Sequence, residues 1–580
     1  MYIKRIDSID NYRNLSGQII DFHHDVNFLI GENNIGKTNI LELINVFFNV
    51  GKFHETDFKN VLLPIKIRIT LKYDDEEIGF FDDNFDVDDS NSITIVGVQD
   101  SIDERLQYYH DTPMQTRISS TTIKRINCLY YYAQRMPSKE VDFRKSTGSG
   151  RVLNLFVTNS LKNAGITEGD ILQKDELDVV LNAVNNNIGR LNTITGDTVS
   201  AYMDPEVENV LSRLLLIGDQ NGRELGRLGE GIQYAFNIPL QILDNIYSTK
   251  VSRKKEEFEE RLIEKNGCKY FPVVLVVDEP EIHQHPYRQR TLVKKILSIL
   301  NNENGDFVEL LKEVFDIDGI VGQLIIATHS PNILLNDYQQ FIRLYNRQSE
   351  LEEDGNKLKS LEIVSGVSIL LENDIYKHLL HNYLYLKEAM FSKCIILVEG
   401  DTEYGALPVF ARRKNIDLDE LGVGIVKLDG ADSVLKCMKL YRLFGIRAIA
   451  ILDRDKMEQY SDEIDVYFTS KEDYETDIYD NFQLPDYLNC CKELELINSF
   501  IGIFKKAGIE INPTEFMKNP LIPDINADVQ AKIMCENRTD QLKKLKSSKN
   551  ASKGAVLAEH VTEIPYVFDS LLTELGAKVQ

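Results

Sequence analysis

Three short stretches carry residue types that do chemistry, at spacings that chemistry requires. "GENNIGKT" (Gly31 to Thr38) follows the apolar run "VNFLI" and precedes a helical pattern of Ile40, Leu43, Ile44 and Phe47. In that strand–loop–helix setting the glycines let backbone N–H groups wrap phosphate oxygens, and the helix N-terminus adds positive potential. Lys37 is placed to reach the β- and γ-phosphates and Thr38 to hold Mg2+, with Asn33, Asn34, Gly36 and Asn39 completing the nucleotide cradle. "CIILVEGDTEY" (Cys394 to Tyr404) and "AIAILDRDK" (Ala448 to Lys456) are apolar runs that end abruptly in carboxylates. The first puts Glu399 at a strand end, with Gly400 turning the chain toward Glu403. The second puts Asp453 and Asp455 on one face of a strand tip, because side chains alternate with period two. In one parallel sheet these carboxylates converge at one edge. Clustered hard oxygens of that kind bind Mg2+ or Mn2+. Two metals bracketing a phosphodiester stabilise both the attacking and the leaving oxygen.

Two further strands supply the rest of a nucleotide engine. "VVLVVDEPE" is apolar throughout and ends in Asp278 and Glu279. Such a strand is buried on both faces and delivers its carboxylates to the sheet edge where the phosphates sit. Asp278 is expected to support Mg2+ and Glu279 to polarise the attacking water. "LIIATHS" ends in His329, placed to sense the γ-phosphate. Together "NYRNL", "GENNIGKT", "DEPEIHQHP" and "ATHSP" resemble the ABC-type ATPases of the RecF, SMC and Rad50 group. In that group a glycine-rich signature from one subunit caps ATP bound to the other. "LGRLGEGIQ" (Leu225 to Gln233) looks like a degenerate version, with Gly229 and Gly231 at a helix N-terminus and the usual serine absent. No long coiled coil separates the two halves.

The carboxylate strands resemble the Toprim fold of topoisomerases, primases and OLD-family (overcoming lysogenization defect) nucleases. An ABC-type ATPase followed by a Toprim region is the OLD-family arrangement. The length and layout look closest to the nuclease subunit of Gabija-type phage-defence systems. The resemblance implies a later acidic motif, matched by Glu475 and Asp477 in "FTSKEDYETDIY", and a lysine for transition-state charge, matched by Lys553 in "NASKGAVLAEH". Lys549, in the same lysine-rich segment, is expected to be one backbone-phosphate contact among several. Asp429 follows another short strand and is open to a structural or a loop-fixing role.

The elements that must position these residues divide the chain into four. Residues 1–145 form the first part of the ATPase, and 146–216 a helical insertion suited to dimerisation. Residues 217–385 form the second part of the ATPase, and 386–580 the Toprim nuclease domain. The fold class is therefore α/β, a P-loop ATPase followed by a second α/β domain. "IKIRITLKY" (Ile65 to Tyr73) alternates as an edge strand does, and the acidic stretch from Tyr73 to Ser92 is expected to be a solvated hairpin loop. A second helical stretch is expected from Asn373 to Phe391. A chain of 580 residues with 43% hydrophobic and 27% charged residues suits a multi-domain soluble protein. No apolar window approaches the roughly 20 residues of a membrane span. Seven scattered cysteines without CxxC spacing suggest reduced thiols and no zinc site. With no apolar leader at the N-terminus, the expectation is a cytoplasmic protein with no membrane partner.

A net charge of −25 argues against a simple electrostatic nucleic-acid coat protein. It leaves room for a nuclease, because the metal-binding acids themselves add negative charge. "LKKLKSSKNASKG" (Leu542 to Gly554), with five lysines and no acid, is the better DNA-contact segment. The expected function is an ATP-binding, metal-dependent endonuclease acting on double-stranded DNA. Its cofactors are ATP with one Mg2+ and two Mg2+ or Mn2+ ions at the carboxylates. Its partners are a homodimer or homotetramer of itself and a UvrD-like helicase subunit. A topoisomerase needs a nucleophilic Tyr in a separate cleavage domain, and none is evident. A RecF-like mediator without nuclease activity leaves the acidic set unexplained. A nuclease acting on RNA stays open, since the metal site engages only a phosphodiester.

Overall fold

The computed structural model describes the chain except residues 78–79, 82–83, 134–139, 144–146, 166–173, 196–197, 204–214, 252–254, 283, 354–355, 372–382, 429, 521–524 and 580. The chain divides into two compact units, Met1–Leu370 and Leu371–Gln580.

The first unit is built on two sheets. A six-stranded antiparallel sheet includes Tyr2–Asp10, Ile65–Lys72 and Ser92–Gln99. A seven-stranded mixed sheet runs Ile263–Lys265, Cys268–Asp278, Gly319–Ala327, Val26–Gly31, Phe341–Glu353, Asn356–Ser365, with Asn127–Tyr131 also paired to Cys268–Asp278. One apolar core joins Ile3, Ile67 and Ile95 of the first sheet to Leu29, Val276 and Ile325 of the second. The helix Lys37–Phe48 contributes Ile40, Leu43, Ile44 and Phe47 to that core, the face its periodicity marks. Gln323 pins the sheets together: its Oε1 accepts from Ile3 N at 2.9 Å and its Nε2 donates to Ile3 O at 3.1 Å.

Three local expectations are corrected here. Ile65–Lys72 is an interior strand, paired to Tyr2–Asp10 on one side and Ser92–Gln99 on the other. Its alternation reflects one buried and one half-exposed face, which an interior antiparallel strand shares with an edge strand. The acidic hairpin is partly folded inward: Phe80, Phe81 and Glu77 are buried. The span expected as helical holds Ser149–Ala164 and Lys174–Thr195, but also an antiparallel pair, Val199–Met203 with Leu215–Asp219. Of the helical stretch from Asn373 to Phe391, Tyr383–Ala389 is helix; residues 373–382 and Asp429 lie outside the described residues.

The second unit is a four-stranded parallel sheet ordered Val423–Lys427, Cys394–Val398, Arg447–Leu452, Val466–Phe468. Cys394–Val398 is buried throughout, as a central parallel strand must be. Helices Asp401–Arg413, Leu484–Glu493, Ala551–His560 and Tyr566–Val579 share one apolar core with it.

Candidate functional sites

In the first unit, three parallel strands end at one edge, at Gly31, Ala327 and Asp278, beside a fourth, Phe341–Glu353, that runs on. Gly31 pairs with Leu344, Leu29 with Ala327, and Ala327 with Asp278. The loop after Gly31 turns through Asn34 at φ 59° and Gly36 at φ 117°, backbone that a β-carbon disfavours. The Lys37 ammonium donates back to Gly31 O at 2.9 Å and Glu32 O at 2.8 Å. Burial lowers its pKa to about 8, against the pull of Glu279 and Asp278. Thr38 Oγ1 lies 3.4 Å from Asp278 Oδ2. Burial, then the charge of Glu279, pushes the Asp278 carboxyl up to about 6. Asp278 Oδ1 is buried without a hydrogen-bond partner. A cationic phosphate partner, a hydroxyl and an unsatisfied carboxylate oxygen at one helix start suit a nucleotide with its Mg2+.

Glu279 takes a positive φ of 46°, and its side chain meets His329: Nε2 to Oε1 is 3.4 Å. Burial, then Lys37, lowers the His329 pKa. Asn39 is drawn away from the loop, because its Oδ1 accepts from Arg13 at 2.5 Å and its Nδ2 donates to Asn14 Oδ1 at 2.7 Å. Asn14 Nδ2 in turn donates to Ile35 O at 2.7 Å. Arg13 and Asn14 thus buttress the phosphate loop, a role that their place in "NYRNL" does not declare. Asn33 sits exposed in the loop. Gly229 and Gly231 lie at the start of helix Glu230–Val251. Gln284 Nε2 donates to Gly231 O at 2.6 Å.

In the second unit, Glu399 and Asp453 follow neighbouring parallel strands, and Asp453 N donates to Glu399 Oε1 at 3.2 Å. Asp453 Oδ1 accepts from Tyr474 N at 3.1 Å. Burial, then Glu403 and Glu399, pushes the Asp453 carboxyl up to about 8. Burial also raises Glu399, with Asp455 adding to it, and raises Glu403, with Glu475 adding to it. The strand ends at Leu452, so Asp455 lies in a short turn, not on the strand face. Its side chain is 60% exposed and 3.2 Å from Lys456 Nζ.

Thr402 was not singled out from the sequence, yet it joins the acids. Its hydroxyl lies 2.9 Å from Glu403 Oε2 and 3.0 Å from Glu475 Oε1. One hydroxyl hydrogen cannot serve both carboxylates, so the buried acids are short of donors. Lys549 Nζ meets Glu475 Oε2 at 2.7 Å. Burial lowers the Lys549 pKa, but Glu475, Glu403 and Asp453 outweigh it and hold the ammonium above its ordinary value. Lys553 is elsewhere: its buried ammonium donates to Lys544 O at 3.1 Å, to Leu545 O and to Ser548 Oγ at 3.5 Å, the end of helix Arg538–Lys546. Asp477 also turns away, accepting from Ser470 N at 2.8 Å. Asp473, unmarked by sequence, caps the helix Tyr474–Asp480 and pairs with Lys546 at 2.6 Å.

Crowded carboxylates with raised pKa values fit hard divalent cations. Among the described residues only His23, His24 and Asp25 bring three ligand atoms within 4.8 Å of one another. The acids of the second unit are drawn to one edge without being closed around one point.

Residues 1–188 and 174–334 match the AAA ATPase domain family, more than half of the sequence. The chain belongs to that family. Residues 390–455, which hold Glu399, Glu403, Asp453 and Asp455, match the TOPRIM domain of overcoming lysogenization defect protein-like proteins. The AAA region is followed by a Toprim domain, and the α/β class expected from the sequence holds in both.

The Old nuclease of Escherichia phage P2 is 25% identical over 240 residues, 40% of this chain and 34% of that protein. The DNA replication and repair protein RecF of Clostridium acetobutylicum is 42% identical over 77 residues, 13% of this chain and 18% of RecF. This chain thus spans about a third, or less, of the curated relatives it matches. Among solved structures, the Smc head bound to the C-winged helix domain of ScpA aligns over 63% of this chain and 98% of that one. It does so at 13% identity and a TM-score of 0.36. Among the described residues of the AAA and Toprim regions, no helix is long and apolar enough to cross a membrane.

Proposed function

We propose that the chain is a divalent-metal-dependent DNA endonuclease of the OLD type, regulated by nucleotide at its AAA region. The observation that carries this reading is the pairing of buried Glu475 with Lys549 beside the Glu399–Asp453 contact at one sheet edge. Glu399, Glu403, Asp453 and Glu475 would hold Mg2+ or Mn2+, with Asp455 reaching in from its turn. Metal bound there would supply Lewis-acid stabilisation of charge on the attacked phosphodiester. Tyr474 N orients Asp453, Thr402 orients the Glu403 and Glu475 carboxyls, and Lys549 supplies fixed positive charge. Lys553 holds the preceding helix end and so sets where Lys549 stands.

At the AAA region, Lys37, Thr38 and Asp278 would hold ATP with one Mg2+, Glu279 would orient water, and His329 would contact the terminal phosphate. In this reading the protein serves bacterial anti-phage defence as a Gabija-type nuclease subunit, as a homodimer or homotetramer beside a UvrD-like helicase. The OLD-like Toprim match and the nuclease named among the relatives support the nuclease part.

Incubation of supercoiled plasmid with Mg2+ or Mn2+, with and without ATP, tests the reading. Nicked or linear product that disappears in Asp453→Ala is expected. Equal cleavage by wild type and Asp453→Ala overturns the site.

A further inference from the structure

His329 is held at two points, and only one of them is the catalytic pair. Its ring faces Glu279. Its backbone N–H donates to Glu281 Oε1 at 2.6 Å, and the same oxygen accepts from the preceding Thr328 Oγ1 at 2.8 Å. Thr328 N donates to Leu29 O at 3.2 Å, which ties this loop to the strand that leads into the phosphate loop. Thr328 Oγ1 also accepts from Ser330 N at 3.0 Å. Ser330 Oγ donates to Gln289 Oε1 at 2.6 Å, and Gln289 Nε2 returns to Glu281 O at 3.4 Å. The two residues on either side of His329 are thereby fixed to the segment after Asp278. The second carboxylate oxygen, Glu281 Oε2, is buried with no hydrogen-bond partner.

We propose that Glu281 is a positioning residue for nucleotide hydrolysis, fixing the backbone of His329 so that its ring stands at Glu279 and the phosphate edge. A carboxylate is suited to this work because one oxygen accepts two donors from adjacent residues, Thr328 and His329. Its side-chain hydrogen bonds run to Thr328 and His329, so its positioning effect passes through His329, while its charge adds only to the pull that Glu279 and Asp278 exert on the Lys37 ammonium. A turn-forming acid with no such role would change stability and leave turnover per folded molecule alone.

The proposal rests on the nucleotide reading of Lys37, Asp278, Glu279 and His329. The test is a double-mutant cycle on the full chain, reading single-turnover ATP hydrolysis and the affinity for a fluorescent ATP analogue. Glu281→Ala is expected to slow turnover on the order of tenfold to a hundredfold, the scale of a misplaced catalytic group, with nucleotide affinity nearly unchanged. In a His329→Ala background, Glu281→Ala is expected to add less than about a twofold loss, because coupled residues are not additive. Glu281→Gln keeps an acceptor oxygen and is expected to recover most of the rate. Should Glu281→Ala not fold, Glu281→Met, which fills the space without an acceptor, is read in the same way. Wild-type turnover in Glu281→Ala, or losses that multiply with His329→Ala, overturns the proposal alone. Wild-type turnover in both Glu279→Gln and His329→Ala, or no hydrolysis by the wild type, overturns the underlying reading as well.

Discussion

Lys549 Nζ sits 2.7 Å from Glu475 Oε2, and the Glu475 side chain is fully buried. Four positions on, the Lys553 ammonium is spent on the carbonyls that end helix Arg538–Lys546. The ammonium beside the acids is therefore that of Lys549, and that of Lys553 ties down a helix end. Lys549→Ala is expected to lower single-turnover cleavage by about a hundredfold while DNA affinity changes little, as for charge that acts in the transition state. Lys553→Ala is expected to destabilise by about 1–3 kcal/mol, because buried helix-end carbonyls lose their donor. Cleavage assays beside thermal melts separate the two; equal effects of both variants on cleavage would defeat the assignment.

The lysine-rich segment shows why the sequence was ambiguous. "LKSSKNASKG" offers three cations in ten residues, and composition alone does not rank them. The ranking comes from Asn550, whose side chain accepts from Lys553 N at 2.8 Å and starts a helix there. Lys549 is left just ahead of the helix, and Lys553 enters its first turn, aimed back at the previous helix. The strand–loop–helix around "GENNIGKT" and the two acid-tipped strands were legible because each is a local pattern. Thr402, Asp473, Arg13, Asn14 and Glu281 were not, because each matters through a partner distant in sequence.

The later acidic motif divides in the same way. Glu475 faces Thr402 and Lys549, whereas Asp477 serves the backbone of Ser470. Glu475→Gln is expected to weaken Mn2+ binding and cleavage, and Asp477→Asn to leave both within about twofold while keeping an acceptor for Ser470 N. Mn2+ titration by calorimetry gives the comparison, and a larger loss in Asp477→Asn would reverse it.

Asp453 gives a pH dependence with a definite sign. Its folded carboxyl is pushed up to about 8 by burial and by Glu403 and Glu399, against an unfolded value of about 3.9. The metal-free folded state thus binds more protons than the unfolded state between these values. Stability from this group is present at low pH and is lost as pH rises toward 8. Metal-free protein is expected to melt at a lower temperature at pH 8 than at pH 6, with Asp453→Asn reducing the difference. Mn2+ is expected to restore the melting temperature most at the higher pH, since the metal replaces the proton. A melting temperature that rises from pH 6 to pH 8 in wild type, and not in Asp453→Asn, contradicts the assignment.

Helices Asp401–Arg413 and Ala551–His560 meet backbone to backbone, and that contact sets Lys549 against the acids. A β-carbon at Gly554 would overlap the Thr402 carbonyl, and one at Gly405 the Ala551 carbonyl. Thr402 is the residue whose hydroxyl joins Glu403 and Glu475, so any spreading of the helices moves the carboxylates and the lysine apart together. On helix propensity alone, Gly→Ala inside a helix should stabilise by about 0.8–1 kcal/mol. Gly502, in helix Asn498–Lys506, has open space where a β-carbon would go, and Gly502→Ala is expected to show that gain. Gly554→Ala is expected to do the opposite, destabilising by about 1–3 kcal/mol through overpacking. Because the strain falls on Thr402, it is also expected to cut cleavage by more than the unfolded fraction explains. Chemical denaturation gives the two stabilities, and cleavage per folded molecule gives the second effect. A Gly554→Ala protein as stable and as active as the Gly502→Ala protein would show that the helix contact does not position the site.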